Sequence, residues 1–448
     1  MNTIADRVDD RLYKRIINAW AMYDWANSAF ATTIMAAVLP VFYSKVAAAA
    51  IHPDPERARV LASSAWGYTN TIAMLIIAFS APILGALADH SGAKKKFLGT
   101  FAGLGILATA FLYFISTGDW LAASFLYILG RVGFAGGNIF YDSLLPHIAK
   151  PEDIDYVSAK GYAFGYLGGG LLLALNLAWI MKPHLFGFPN AEMATRASFL
   201  SVAVWWALFS IPLFRYVPEP PHVLEPGEST VHPVKAAFQR LRNTFSEIRR
   251  YTELFKFLIA FWLYNDGIGT IITMATIYGA EIGIGETDLI GSLLLVQFLG
   301  VPFAFAFGWL GKRIGAKRAI LLALGVYTLI AIGGYFMRVG WHFWALAVLV
   351  ATVQGGAQAL SRSLYGIMTP KAKSAEFFGF YNVSSKFAGI VGPALFAFIG
   401  SMAGSSRLSI LALVLFFIAG GLLLTRVDVA KGIQVARAED AALGLAEA

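Results

Sequence analysis

Apolar residues run along this chain in long blocks separated by short polar breaks. A membrane-spanning helix needs about 20 mostly apolar residues. Twelve stretches meet that length: 16–43, 60–88, 97–117, 120–145, 158–181, 197–217, 255–280, 289–311, 317–337, 342–368, 376–403 and 406–426. Six precede the polar stretch 218–254 and six follow it. Polar residues recur inside several blocks at helical spacing, which puts them on one face. Asp24, Asn27 and Ser28 share a face of the first block, and Arg131, Asn138 and Asp142 a face of the fourth. Asp266, Gly269, Thr270 and Thr273 do so on the seventh, Gln354, Gln358 and Arg362 on the tenth, and Asn382, Ser385 and Lys386 on the eleventh. The pattern predicts an all-α integral membrane protein with 12 transmembrane helices in two pseudo-symmetric six-helix bundles. The predicted units are an N-terminal bundle over 1–217, a linker over 218–254, and a C-terminal bundle with its tail over 255–448.

The halves rhyme in their chemistry. Trp20-Ala21-Met22-Tyr23-Asp24 is echoed by Trp262-Leu263-Tyr264-Asn265-Asp266, 242 residues further on. A carboxylate at the centre of a spanning helix costs roughly 2.5–3.5 kcal/mol, so an acid in each half marks a polar interior site. Asp24 and Asp266 are therefore candidate proton carriers or contacts for a substrate ammonium group, with Tyr23 and Tyr264 beside them. Arg131, near the middle of its helix, is a candidate for binding an anionic group or resetting a carboxylate. Asn27, Asn138, Gln354, Gln358, Asn382 and Lys386 complete the expected substrate and coupling set. Asp142 and Arg362 lie near helix ends and are read as gating groups. The alternative is that these charges pair with each other and only hold helices together.

Composition narrows the choice. The chain is 58% hydrophobic and 14% charged, against about 25% charged in soluble domains, so a soluble fold would lack polar surface. With no cysteine, disulfides, thiolate metal sites and cysteine nucleophiles are excluded. The seven histidines show no ligand spacing, and no metal or cofactor is expected. The net charge of +8 is scattered between apolar blocks, so nucleic acid is not an expected partner. Placing both termini on one side gives that side 25 basic residues against 7 opposite, which predicts cytoplasmic termini. Met1–Arg15 reads as the lead-in to a retained first helix rather than a cleaved signal. Gly168-Gly169-Gly170 lacks the Lys-Ser/Thr of a phosphate loop and reads as close helix packing. After Pro218-Glu219-Pro220-Pro221, the linker spaces Val234, Phe238, Leu241, Phe245 and Ile248 as the apolar face of a basic amphipathic helix, expected on the inner leaflet or the helix ends.

Between the second and third blocks the chain reads Gly85-Ala86-Leu87-Ala88-Asp89-His90-Ser91-Gly92-Ala93-Lys94-Lys95-Lys96. A second copy reads Gly308-Trp309-Leu310-Gly311-Lys312-Arg313-Ile314-Gly315-Ala316-Lys317-Arg318. The first resembles the loop signature of the major facilitator superfamily, G-x-L-x-D-x-x-G-x-K, departing at His90 and Ala93. In the second, Lys312 stands in place of the acid. The resemblance implies alternating access, a cavity lined by helices one, four, seven and ten, and monomeric function without a cofactor. It also implies gating roles for Gly85, Asp89, Gly92, Lys94, Gly311, Gly315 and Lys317. A narrower likeness rests on Tyr23-Asp24-Trp25-Ala26-Asn27-Ser28-Ala29-Phe30 with Pro40-Val41-Phe42-Tyr43. It is similar to the branch of bacterial "unknown major facilitator" proteins and autophagy-related vacuolar amino-acid effluxers. That likeness implies a secondary transporter of a bacterial plasma membrane exporting amino acids or related metabolites, with protons and membrane lipids as the other partners. A facilitator for sugars or drugs is the alternative. A membrane-embedded lipid-handling protein or a non-transporting receptor is the rival from another class. No nucleophile–base pair suggests an enzyme.

Overall fold

Asp9 accepts a hydrogen bond from the Leu12 N–H at 2.7 Å and caps the first helix, supplying one of the partners that a helix start lacks. In the computed structural model, residues 9–221, 232–246, 249–403 and 406–445 are described. From this cap α1 runs over Asp10–Ala47, loosening into π-helical turns at Phe30–Ala37 and Tyr43–Ala47. It is followed by α2 (Pro55–Ser91), α3 (Lys94–Phe111), α4 (Trp120–Ile148), α5 (Ile154–Met181) and α6 (Ala191–Tyr216). After the linker helix (Pro233–Ser246) come α7 (Thr252–Glu281), α8 (Glu286–Ile314), α9 (Ala316–Tyr335), α10 (Gly340–Met368), α11 (Ser374–Ala403) and α12 (Ser406–Thr425). A tail helix, Val429–Ala442, ends the described chain. Among the described residues, eleven helices are long and apolar enough to cross a membrane. In α11 the apolar part, Val391–Met402, is shorter. Most helices outrun the expected apolar blocks by a few residues, because caps and polar turns continue them beyond the apolar stretch.

Packing repeats from one half to the other. In the first half α1 packs on α5 and α6, and α4 on α2 and α3; in the second α7 packs on α11 and α12, and α10 on α8 and α9. Between halves, α2 lies on α11 and α5 on α8, each the image of the other. Buried apolar side chains fall into one cluster spanning residues 16–217 and another spanning 251–427, with Ala375 of α11 reaching into the first. The glycine face of α5 lets it press onto α1: Cβ atoms at Gly165, Gly168 and Gly169 would meet Ser28 Oγ, the Trp25 carbonyl and the Ser28 carbonyl at 2.6, 2.5 and 3.0 Å.

The α2–α3 and α8–α9 turns sit at one end of the molecule, called here the latch end. Gly92 and Gly315 hold φ of 60° and 86° there, a region that glycine enters without a Cβ penalty. The linker helix divides its apolar stripe between the helix ends and the outside. Leu241 is buried, but Val234 and Phe238 are exposed, and the buried face is Ala236, Ala237, Arg240, Leu241 and Thr244. Small residues sit closer to α2 than Phe238 could. The Phe245 side chain and Ile248 lie outside the described residues. The tail helix docks through Glu439, which pairs with Lys373 at 3.0 Å and Arg250 at 2.5 Å, and through Asp440, which accepts the Ala372 N–H. Burial lifts the Asp440 carboxyl to about 6.

Candidate functional site

Polar groups are layered inward from the latch end. In the outermost layer, though itself buried, Asp89 of α2 accepts the N–H groups of Ala375 and Glu376, at 3.2 and 2.8 Å, on the first turn of α11. Those groups are free N–H donors at the positive end of the α11 dipole, so an acid is the natural partner. Lys94 ties the knot: its Nζ lies 2.9 Å from Asp89, 2.7 Å from Ser374 Oγ and 3.2 Å from His147 Nε2. An ammonium only donates, so His147 Nε2 faces it as an acceptor. Asp89, Lys94 and His147 belong to one half and Ser374 to the other.

The second turn forms the mirror contact with reversed charge. Lys312 Nζ meets Asp153 Oδ1 at 3.0 Å, and Asp153 stands at the N-terminus of α5. In the first copy an acid meets bare helix N–H groups; in the second a cation meets an acid already placed at the helix start. The replacement of the motif's acid by Lys312 is thus compensated across the interface. Lys317 does something else: it donates to the Thr425 and Val427 carbonyls at 2.8 and 2.7 Å, closing the end of α12 within its own half. In the first copy the same job falls one residue later, to Lys95, which closes α6 through the Phe214 and Val217 carbonyls.

Close approach at the latch depends on missing side chains. A Cβ on Gly85 would run into the Ala375 carbonyl and come within 2.8 Å of Glu376 Cα, both backbone. Gly311 lies against Leu360 and Asp155 in the second copy. Gly85→Ala is therefore expected to prevent latch closure while leaving α2 packed in its own half. A single cysteine placed at Ala375, which is fully buried, should label about tenfold faster or more in that variant. Equal labelling would remove the steric argument.

About 9 Å deeper, six residues in from the ends of α4 and α10, lies an ion cluster. Arg362 Nη1 meets Asp24 Oδ2 at 3.2 Å and Asp142 Oδ1 at 3.0 Å. Its Nε and Nη2 donate to Ser158 Oγ and the Ser158 carbonyl at 2.9 and 2.8 Å. Tyr141 donates to Asp24 at 2.9 Å, and the guanidinium lies over the rings of Tyr162 and Trp20, 4.5 and 4.9 Å from their centroids. Gly161 leaves room, since a Cβ there would meet Asp24 Oδ2 at 2.5 Å and Arg362 at 2.8 Å. Asp24, expected to carry protons or substrate, thus joins Asp142 and Arg362 in a link between halves. Tyr23 is buried, and its ring packs on Tyr141 at 4.9 Å.

Deeper still, near the middle of their helices, two ionisable residues lack a countercharge among the described residues. Arg131 on α4 is 8% exposed and donates to Asn70 Oδ1 and Tyr127 Oη at 2.6 and 2.7 Å. Its Nε has no partner, and among the described residues no carboxylate reaches it. Asp266 on α7 is 1% exposed; Oδ2 accepts the Gly392 N–H at 2.9 Å and Oδ1 has no partner. Nearby, Asn27 donates to Asn138 at 2.7 Å and Tyr264 bonds Ser361 at 2.6 Å. Asn382 reaches the Ala135 carbonyl at 3.4 Å while its Oδ1 stays free. Gln354 and Gln358 are half-buried. The Lys386 side chain lies outside the described residues. Among the described residues no three His, Asp or Glu side chains gather as metal ligands.

Comparison with known proteins places this architecture. The family model described as "Vacuole effluxer Atg22 like" matches residues 13–437. An "Uncharacterized MFS-type transporter YxiO" of Bacillus subtilis is 38% identical, covering 90% of this chain and 92% of its own. "Autophagy-related protein 22-1" of Phaeosphaeria nodorum is 23% identical over 95% and 92% of the two chains. In fold the chain is similar to the proton:xylose symporter XylE (TM-score 0.72, 14% identity, 96% and 100% covered). It is also similar to FucP in the outward conformation (TM-score 0.65, 13% identity, 93% and 98% covered). The chain belongs to the Atg22-like effluxer family and is an integral membrane transporter of the major facilitator superfamily.

Proposed function

We propose that this protein is a secondary active transporter that exports amino acids or closely related zwitterions, coupled to protons, by alternating access in a bacterial plasma membrane. In this reading α1–α12 all span the membrane. They form six-helix bundles over 1–217 and 255–448, joined by the linker 218–254, with both termini and the latch end cytoplasmic. The chain works as a monomer with no cofactor. The ion pairs linking the halves lie at and just inside the latch end, so the conformation is closed there.

One observation carries the proposal: a buried guanidinium and a buried carboxyl, Arg131 and Asp266, sit on different halves without countercharges among the described residues. An uncompensated buried charge costs several kcal/mol. A ligand supplying a carboxylate to Arg131, and an ammonium or a proton to Asp266, removes that cost. The description of the matching family model, a vacuole effluxer, supports efflux without specifying a substrate.

Proteoliposomes challenged with labelled amino acids, sugars and inorganic cations, with and without a pH gradient, test this reading. Flux of at least one amino acid that follows the pH gradient is expected. Movement of sugars alone, or flux indifferent to pH, overturns it.

A further inference from the structure

The linker helix bridges both halves at the latch. Its Ala237 and Leu241 pack with Ala86, Ile83 and Leu87 of α2 and with Phe380 of α11. Arg240, 1% exposed, acts electrostatically on the buried Glu376 carboxyl of α11 beside Asp89. If the halves part at this end, one side of this contact is lost. The helix is therefore seated as it is only while the latch is closed.

The opposite face of the same helix is uncovered. Val234 and Phe238 are 48% and 54% exposed, and Lys235, Gln239 and Arg242 are exposed beside them. Residues 233–246 contain three basic residues and no acid. The helix lies level with the α2 end and the α11 start, where spanning segments give way to basic turns. An apolar pair flanked by cations at that depth fits one partner, a bilayer surface bearing anionic headgroups.

We propose that the linker helix docks on anionic phospholipid at the latch end, and that this docking holds the latch closed. Val234 and Phe238 enter the headgroup boundary, and Lys235 and Arg242 bind lipid phosphates. The helix is then fixed between the membrane and the joined α2–α11 ends. Membrane surface charge becomes an input to the gate, separate from substrate or proton.

The chain contains no cysteine, so reporters can be placed singly. The full-length protein is reconstituted in nanodiscs of phosphatidylcholine alone or of phosphatidylcholine with phosphatidylglycerol. A polarity-sensitive dye on Gln239→Cys is expected to shift to the blue only with the anionic lipid. In a separate sample, spin labels at Lys96→Cys and Arg318→Cys report the separation of the halves. The anionic lipid is expected to raise the closed-to-open ratio about tenfold, from two surface cations each gaining a favourable field. Lys235→Gln with Arg242→Gln should abolish both responses, and Phe238→Ser the dye shift. Identical spectra and distances in the two lipids overturn the proposal, as does a lipid response that survives the double substitution. The dye reads lipid contact whether or not alternating access holds, so failure of the transport reading is distinguishable.

Discussion

Arg362→Gln is expected to open the latch end and stop transport without unfolding the protein. Arg362 touches α1, α4 and α5 at once, through Asp24, Asp142 and Ser158. Glutamine removes the cation and leaves two carboxylates facing each other in a buried layer. Breaking a buried ion pair costs about 3–5 kcal/mol. Here that cost falls on the closed state alone, because parting the halves lets water reach both acids. Since about 1.4 kcal/mol is a factor of ten, the closed-to-open ratio should fall at least a hundredfold. A cysteine at Ala359, which is fully buried and lies beside Ser158, should gain labelling by an impermeant maleimide to match. Arg362→Lys should fall between, because one ammonium cannot serve the carboxylates and the serine carbonyl together as the planar fork does. Folding is checked by monodisperse elution. It is expected to survive because each half keeps its own apolar cluster. Unchanged labelling at Ala359 would show that the ion cluster does not hold the gate.

The sequence read well wherever the signal was local and periodic. Long apolar runs located the helices, and the repeated glycine turn located the latch, because turn geometry and helix length are written in neighbouring residues. Charge partners were another matter. Asp24 and Asp266 look alike in sequence, each preceded by a Trp and a Tyr, yet one meets Arg362 from 338 residues away and the other, among the described residues, meets a backbone N–H alone. Helical spacing says which face a residue occupies and nothing about what packs there. Asn70 and Tyr127, which hold Arg131, did carry signals: an amide inside an apolar block, and a tyrosine one turn before the arginine. His147, Ser158, Ser374 and Gly392 carried none, being ordinary residues made polar partners by the fold. The same limit explains the linker. The stripe of large apolar residues marked an amphipathic helix but not which of them packs on α2; Leu241 does, with Ala237 beside it, while Val234 and Phe238 stay exposed.

The difference between the two aspartates directs the second large effect to Asp266. Asp266→Asn is expected to abolish pH-gradient-driven accumulation while leaving downhill exchange of the same substrate intact. The amide has nearly the same shape, and its oxygen still accepts the Gly392 N–H, so the α7–α11 contact survives. Larger changes would not be tolerated there: a Cβ on Gly392 would come within 2.7 Å of Asp266 Oδ1. Asparagine cannot take up and release a proton, so the variant binds substrate but has no way to couple it. A gradient of one pH unit, worth about 1.36 kcal/mol per proton, supports at most about a tenfold accumulation ratio at one proton per substrate. In the variant that ratio should fall to one. Arg131→Gln should act differently, raising the substrate concentration needed for half-maximal flux while the remaining flux still follows the gradient. Asp24→Asn should weaken the gate, because it removes one of the two acids that Arg362 joins. Accumulation by Asp266→Asn at the wild-type level would transfer the coupling role elsewhere and leave Asp266 a structural contact between α7 and α11.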